Sequence, residues 1–147
     1  MTNQQVLIQF PDGKQVPFAK GVTLTEIAKA ISPSLAKKAV AGSVNKTTYD
    51  LERPILTDAQ IAIYDAHAAE GVEVIRHSTA HLLAQAVKRV YPEANFGVGP
   101  VIEHGFYYDI EMAHTLVPED LAILEREMKK IVGENLSVTR KEVTRQE

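Results

Sequence analysis

Val6, Ile8 and Phe10 alternate with Leu7 and Gln9, and the alternation resumes at Val16 and Phe18 after the turn residues Pro11-Asp12-Gly13. This pattern predicts a β-hairpin. The period then changes. Thr23 followed by Glu26 is a capping box, and Val22 and Ile27 occupy the two positions of a hydrophobic staple, so a helix is predicted from Leu24 with Leu24, Ile27, Ala28 and Ile31 buried. Ser32-Pro33 interrupts it and opens a short second helix over Ser34 to Lys38, with Pro33 suited to the first helical position. Short extended runs follow at Ala39 to Val44, Thr47 to Leu51 and Gln60 to Tyr64, separated by Asn45-Lys46 and Arg53-Pro54. Hairpin, helix, then further strands within about 65 residues is the order of a ubiquitin-like β-grasp module, in which the helix lies across one face of a sheet.

The small, polar stretch Asp65 to Gly71 carries no strand pattern and reads as the end of the first module, with 66–71 as linker. Helical periodicity runs from Val72 to Val90, where Tyr91-Pro92 supplies a stop. On that helix Val72, Ile75, Thr79, Leu83, Ala86 and Val90 form an apolar stripe, while His77 and His81 lie on the opposite side with Ala84 and Lys88. Asn95 to Pro100 is rich in glycine. Val101-Ile102 and Phe106-Tyr107-Tyr108 flank Glu103-His104-Gly105 and predict two strands joined by a tight turn. A second long helix is predicted over Pro118 to Val132, with Leu121, Leu124, Met128 and Ile131 buried, Glu119 and Asp120 at its positive end and Gly133 as its cap. Ser137 to Val143 reads as a strand. The fold class is therefore α+β.

Composition narrows the function classes. With 147 residues, 45% apolar and 24% charged, the chain is an ordinary globular sequence of one full domain or two small ones. Seven basic residues oppose six acidic ones in 1–66, and nine oppose thirteen in 67–147, so no basic patch points to nucleic acid on charge alone. There is no cysteine, hence no disulfide or thiolate metal site within these residues. No signal-peptide core or spanning segment is legible, and a cytoplasmic location without membrane contact is expected.

Chemically capable side chains cluster between Ile75 and Ile110. His77 and His81, four residues apart, address one small volume from one helix face. Their spacing alone leaves three readings open: half of a zinc site, a pair of solvated surface histidines, or a catalytic pair. The metalloprotease form is excluded, because Ser78 stands where its glutamate would be. Two histidines fill only half of a structural zinc shell, and His67, His104 and His114 are not placed near them by any pattern, so no bound metal is expected. Tyr107 and Tyr108 would point to opposite faces of a strand, one packing and one offering its hydroxyl to a cleft. The Gly97-Val98-Gly99 segment permits close approach of backbone to a ligand, or is simply a bend.

The segments Ile75-Arg76-His77-Ser78-Thr79-Ala80-His81-Leu82-Leu83 and Gly99-Pro100-Val101-Ile102-Glu103-His104-Gly105-Phe106-Tyr107-Tyr108-Asp109 resemble the amino-terminal part of bacterial-type threonyl-tRNA synthetases. The resemblance covers the whole chain. It implies a TGS-like β-grasp domain over 1–65, with Leu35-Ala36-Lys37 and Ala41-Gly42-Ser43-Val44-Asn45 in its expected places, the linker 66–71, and the first half of a mixed α+β editing domain over 72–147. It further implies a role in tRNA binding and in hydrolytic editing of mischarged seryl-tRNA(Thr), with His77, His81 and Tyr108 lining the site. By the same resemblance the lysine and Cys-x-x-x-His segment that complete such a site, the aminoacylation core and the anticodon-binding domain are absent. The chain is then expected to be a fragment of a ligase, inactive alone, and to carry no cofactor. ATP, magnesium and zinc would belong to the absent core; tRNA(Thr), the remaining synthetase chain and a second copy in a homodimer would be partners. Editing has a physical motive, since a site built for threonine rejects serine by only ~1–3 kcal/mol for one methyl. A non-catalytic module binding tRNA or another ligand through its β-grasp domain is the competing expectation.

Overall fold

The computed structural model describes residues 4–146. The chain divides into two compact units, Met1–Ile75 and Arg76–Glu147, with the division falling inside a long helix.

In the first unit the hairpin forms from β1 (Gln5–Gln9) and β2 (Gln15–Ala19), antiparallel with Val6 opposite Phe18 and Ile8 opposite Val16. Helix α1 (Leu24–Ile31) starts where the capping box places it: the Glu26 N–H donates to Thr23 Oγ1 at 3.2 Å, and the Thr23 N–H donates to Glu26 Oε2 at 2.9 Å. Two of the unpaired donors of the helix start are satisfied reciprocally in this way. Helix α2 (Pro33–Lys38) begins one residue before the expected Ser34, with Ser32 Oγ accepting the Leu35 N–H as cap. Strands β3 (Ala41–Val44), β4 (Thr47–Tyr49) and β5 (Ala59–Tyr64) complete a five-stranded sheet in the order β2-β1-β5-β3-β4, in which β1 and β5 are parallel.

That order is the β-grasp. Its core joins Val6 and Ile8 of β1 and Ile61 of β5 to Val22, Leu24, Ile27 and Ile55, all buried. Ile31, expected among the buried positions, is 50% exposed, because α1 ends there and the chain turns away through Ser32. The β3–β4 turn places both Asn45 and Lys46 at positive φ, 51° and 67°, the geometry that matches the twist of a two-residue hairpin. Asn45 also fixes the turn by accepting the Gln60 N–H at 3.0 Å. Because cap, staple, hairpin and turn all specify the same arrangement, residues 1–65 are expected to fold alone. Circular dichroism of that segment under urea should show one cooperative transition, and a coil or molten spectrum would refute the expectation.

Helix α3 (Ala69–Val90) begins three residues before the periodicity predicts, inside the stretch read as linker. Asp65 explains the early start. Its Oδ1 accepts the N–H groups of His67 and Ala68 at 2.8 and 3.2 Å, which bends the chain directly into the helix and lowers the Asp65 carboxyl below its ordinary value, the His67 N–H first among the causes.

The second unit contains the rest of α3, four two-residue strands and α4 (Pro118–Glu134). Strands β6 (Asn95–Phe96) and β9 (Ile110–Glu111) pair antiparallel, as do β7 (Val101–Ile102) and β8 (Gly105–Phe106). Its core gathers Val87, Ala94 and Leu124, with Leu83, Val90, Tyr91, Phe96, Ile110 and Met112 packed around them. The buried stripe of α3 is rotated somewhat from the expected one: of the expected positions Ala86 is buried and Val72, Thr79, Leu83 and Val90 are half-buried, Ile75 is 38% exposed, and Ala80 and Val87 are buried beside them. On α4, Leu124 and Ile131 are buried and Met128 half-buried, whereas Leu121 is exposed. This helix runs through Gly133 to Glu134 and is capped by Asn135 in the left-handed conformation, so Gly133 is not the cap. Ser137 to Val143 is not a strand: it has no ladder partner among the described residues, and Val138 and Val143 are exposed. Alternation suits a strand, but a strand exists only when another accepts its hydrogen bonds.

Candidate functional site

His77 and His81 stand on the exposed side of α3, as their positions opposite the apolar stripe predict. Their Nε2 atoms face each other at 3.0 Å, and the rings meet edge to face with centroids 4.6 Å apart and planes at 74°. At that separation one Nε2 carries a hydrogen and the other accepts it, so the pair shares one proton position between two bases. Arg76, the residue before, turns to the β7–β8 hairpin instead. Its Nη1 donates to the Glu103 carbonyl at 2.7 Å and approaches the Ile102 carbonyl at 3.5 Å. A guanidinium thus holds the tip of the hairpin, with His104 fully open to water beside Glu103.

Tyr108 falls just beyond β8 and not within a strand. The ladder nevertheless continues irregularly around it, with the Gly97 N–H donating to the Asp109 carbonyl at 2.8 Å and the Asp109 N–H to the Val98 carbonyl at 2.9 Å. The Tyr108 ring is half-buried against Phe96, edge to face at 5.5 Å, and lies directly on Gly99. A Cβ at Gly99 would sit 2.6 Å from two ring carbons, well inside van der Waals contact. The close approach that the Gly97-Val98-Gly99 segment permits is therefore made by this tyrosine ring. The Tyr108 hydroxyl has no hydrogen-bond partner among the described residues, so the ring is held while its polar end stays free. Tyr107 is 52% exposed.

A second polar cluster was not visible in the sequence. Asp120, 6% exposed, accepts the Tyr91 hydroxyl at 2.9 Å, the His114 Nε2–H at 2.8 Å and the Val117 N–H at 2.8 Å. His114 also stacks on Tyr91, with centroids 4.8 Å apart. Val117 occupies the cap position of α4 without a polar side chain, and Asp120 reaches back to supply what it lacks. The Val117 N–H first, then His114, lower the Asp120 carboxyl to about 2 against the opposing effect of burial. Its ordinary value is 3.8, so the folded state binds this proton less tightly than the unfolded state does. The resulting stabilisation is fully present above about pH 4 and is lost as pH falls toward 2. Replacing Asp120 by Asn should therefore lower the thermal midpoint at neutral pH, with the variant and parent curves converging as pH drops from 4 to 2. Parallel curves over that interval would show that the carboxylate is not what stabilises the loop.

Arg89 ties the end of α3 to the end of α4. Its two terminal nitrogens each lie 2.8 Å from an oxygen of Glu134, a forked pair that raises the guanidinium pKa and lowers that of Glu134. In the first unit, the open face of the sheet carries a groove of about 460 Å3 lined by Gln9, Phe10, Ser43, Lys46, Gln60 and Tyr64 among others. No group of three or more histidine, aspartate or glutamate side chains among the described residues is arranged to hold a metal ion, and no helix among them is long and apolar enough to cross a membrane.

The β-grasp topology and the sequence of the first unit define it as a TGS domain, whose family model matches residues 6–65. Over nearly all of its length, the first unit included, the chain is similar to the amino-terminal part of bacterial threonyl-tRNA synthetases. It is 53% identical over 99% of its residues to the threonine–tRNA ligase of Bacillus velezensis and, at the same identity and coverage, to threonine–tRNA ligase 1 of Bacillus subtilis. The identity is 52% over 97% of the chain for the threonine–tRNA ligase of Staphylococcus saprophyticus. The chain spans 22–23% of the length of these relatives.

Proposed function

We propose that these residues act within a threonine–tRNA ligase, where they contribute to tRNA binding and to hydrolytic removal of serine from mischarged seryl-tRNA(Thr). The observation that carries the reading is the facing pair His77 and His81, set on the similarity to threonine–tRNA ligases. Ester hydrolysis needs a positioned water, a group that manages its proton and polar groups that orient the ester. In this reading the shared-proton pair takes the second role, with His77 nearest the 3′-terminal ribose, and the free hydroxyl of the ring-locked Tyr108 takes the third. Residues 72–147 supply this part of an editing domain, joined to the TGS domain through 66–71. ATP, magnesium and zinc fall to the remaining length of the synthetase, and the expected setting is a cytoplasmic homodimer. The test is hydrolysis of seryl-tRNA(Thr) against threonyl-tRNA(Thr) by a chain extended through the whole editing domain: selective release of serine supports the reading, and equal or absent release of both refutes it.

A second reading takes its support from the groove on the open sheet face, where amides, hydroxyls, two aromatic rings, one lysine and the Glu70 carboxylate line a concavity of the first unit. There the unit acts as a non-catalytic binding module for tRNA or another ligand. Serine release dependent on His77 separates the two.

A further inference from the structure

We infer that Arg76 is a positioning residue for the editing reaction proposed above: through the β7–β8 hairpin it sets where the Tyr108 hydroxyl stands relative to His77 and His81. The inference deepens that reading and rests on it. Arg76 immediately precedes His77 on α3, and its Nη1 donates to the backbone carbonyl of Glu103 at 2.7 Å and, more weakly, to that of Ile102 at 3.5 Å. All these residues lie in one compact unit. No carboxylate pairs with Arg76 among the described residues, so its charge is directed at two carbonyl dipoles of the turn.

The hairpin needs such a tie. Its strands have two residues each, and an isolated hairpin is marginally stable at best in water. Two-residue turns that match the twist of their strands take positive φ at the first turn residue, whereas neither Glu103 nor His104 does. Packing does not compensate: the core of this unit gathers around Val87, Ala94 and Leu124 and includes neither Val101, Ile102 nor Phe106. From the tip the constraint runs along β8 to the tyrosine. Val101 pairs with Phe106, the Tyr107 N–H donates to the Pro100 carbonyl at 3.3 Å, and the Asp109 N–H donates to the Val98 carbonyl at 2.9 Å. Tyr108 stands between these two bonds, its ring on Gly99 and Phe96. With Arg76 in place, the hydroxyl and the two imidazoles are referred to one helix. Without it, the hairpin and Tyr108 shift together while the histidines stay where α3 puts them.

The test is steady-state deacylation of seryl-tRNA(Thr) by the full-length ligase that carries these residues, with Arg76→Ala and Tyr108→Phe made singly and together. A misplaced hydroxyl is no better than a missing one, and a hydrogen bond of this kind is worth about three- to tenfold in rate. Arg76→Ala should therefore lower kcat about as much as Tyr108→Phe does, with KM nearly unchanged, and the double variant should be no slower than Tyr108→Phe alone, since the two act as one unit. Arg76→Lys, which keeps a donor for the Glu103 carbonyl, should retain more activity than Arg76→Ala. Glu103→Ala should retain full activity, because Arg76 holds only the backbone of Glu103. Effects that multiply in the double variant, or an equal loss from Glu103→Ala and Arg76→Ala, overturn the inference. An activity-independent arm separates this failure from failure of the editing reading: in spectra of the 147-residue chain, Arg76→Ala should move the amide signals of Glu103, His104 and Gly105 and the ring signals of Tyr108, while the Val87 and Leu124 methyls stay in place. Hairpin and ring signals that do not move overturn the inference. Hydrolysis indifferent to His77→Ala, with those signals moving as expected, instead overturns the editing reading and, with it, the role of Arg76.

Discussion

Replacement of Gly71 by alanine is expected to destabilise the protein by about 1–3 kcal/mol, although helix propensity taken alone predicts the opposite. Gly71 is the third residue of α3, and alanine in a helix interior is favoured over glycine by about 1 kcal/mol. The surroundings reverse the sign. Gly71 is buried, and a Cβ there would lie 1.9 Å from the Asp65 carbonyl oxygen, 2.9 Å from its carbon and 3.0 Å from Val40 Cγ2. Two of these neighbours are backbone, belonging to the turn that the Asp65 carboxylate holds through His67 and Ala68. They cannot rotate aside as a side chain could. The first turn of the helix must instead lift away from the sheet, and overpacking of a close-fitted site typically costs about 1–3 kcal/mol and sometimes more. Gly133 is the internal control: it is exposed, helical and has nothing within 4 Å of its would-be Cβ, so Gly133→Ala should stabilise by roughly 0.5–1 kcal/mol. Urea unfolding of both variants decides the matter. A neutral or stabilising Gly71→Ala would mean that the helix start does not sit as closely on Asp65 as the structure shows.

The same glycine illustrates which parts of the fold were legible in the sequence. The start of α1 was readable because Thr23 and Glu26 satisfy each other's donors within four residues, and the β-hairpin because alternation and turn chemistry are adjacent. The start of α3 was misplaced because Gly71 and the small residues before it look like a break. The feature that makes them helical is a carboxylate accepting from two backbone N–H groups, and a sequence gives that no period. Ser137 to Val143 failed for the converse reason, since its period is right and its partner is missing among the described residues. The stripe of α3 was rotated because apolar positions nearly surround that helix, and packing of Ala94 and Leu124 against Val87 decides which of them are buried.

At the candidate site, His77 and His81 were legible as a pair because four residues is one turn, and the structure brings them together. The Asp120 cluster was not, since Tyr91 and Asp120 are 29 residues apart and the acid had a sufficient local reading as a helix-start charge. One signal was available: Val117, lacking a cap, precedes an acid at the third helical position, where a side chain can reach back to the orphan N–H. The cradle of Tyr108 was half legible. The glycines announced a close approach but not what approaches, and the ring of a tyrosine nine residues further on fills the space.

The largest effect is expected in hydrolysis. His77 and His81 are both exposed in this chain, so a seryl ester brought to them would meet water on most sides and no wall that excludes the threonine methyl. Correct positioning supplies effective molarities equivalent to roughly 7–11 kcal/mol of a barrier, and two open imidazoles provide little of that. The 147-residue chain is therefore expected to release serine from seryl-tRNA(Thr) at a rate barely above that of buffer. A chain extended through the complete editing domain should release it rapidly, and His77→Ala there should remove most of the gain, because general acid–base assistance is worth about 100- to 10,000-fold. Tyr108→Phe should reduce the rate less, since the ring remains seated on Gly99 and Phe96 and only its free hydroxyl is lost. Initial rates with serine-labelled tRNA measure all four proteins on one scale. Fast hydrolysis by the short chain would mean that two exposed histidines suffice, and an extended chain indifferent to His77→Ala would mean that the proton is managed by some other residue.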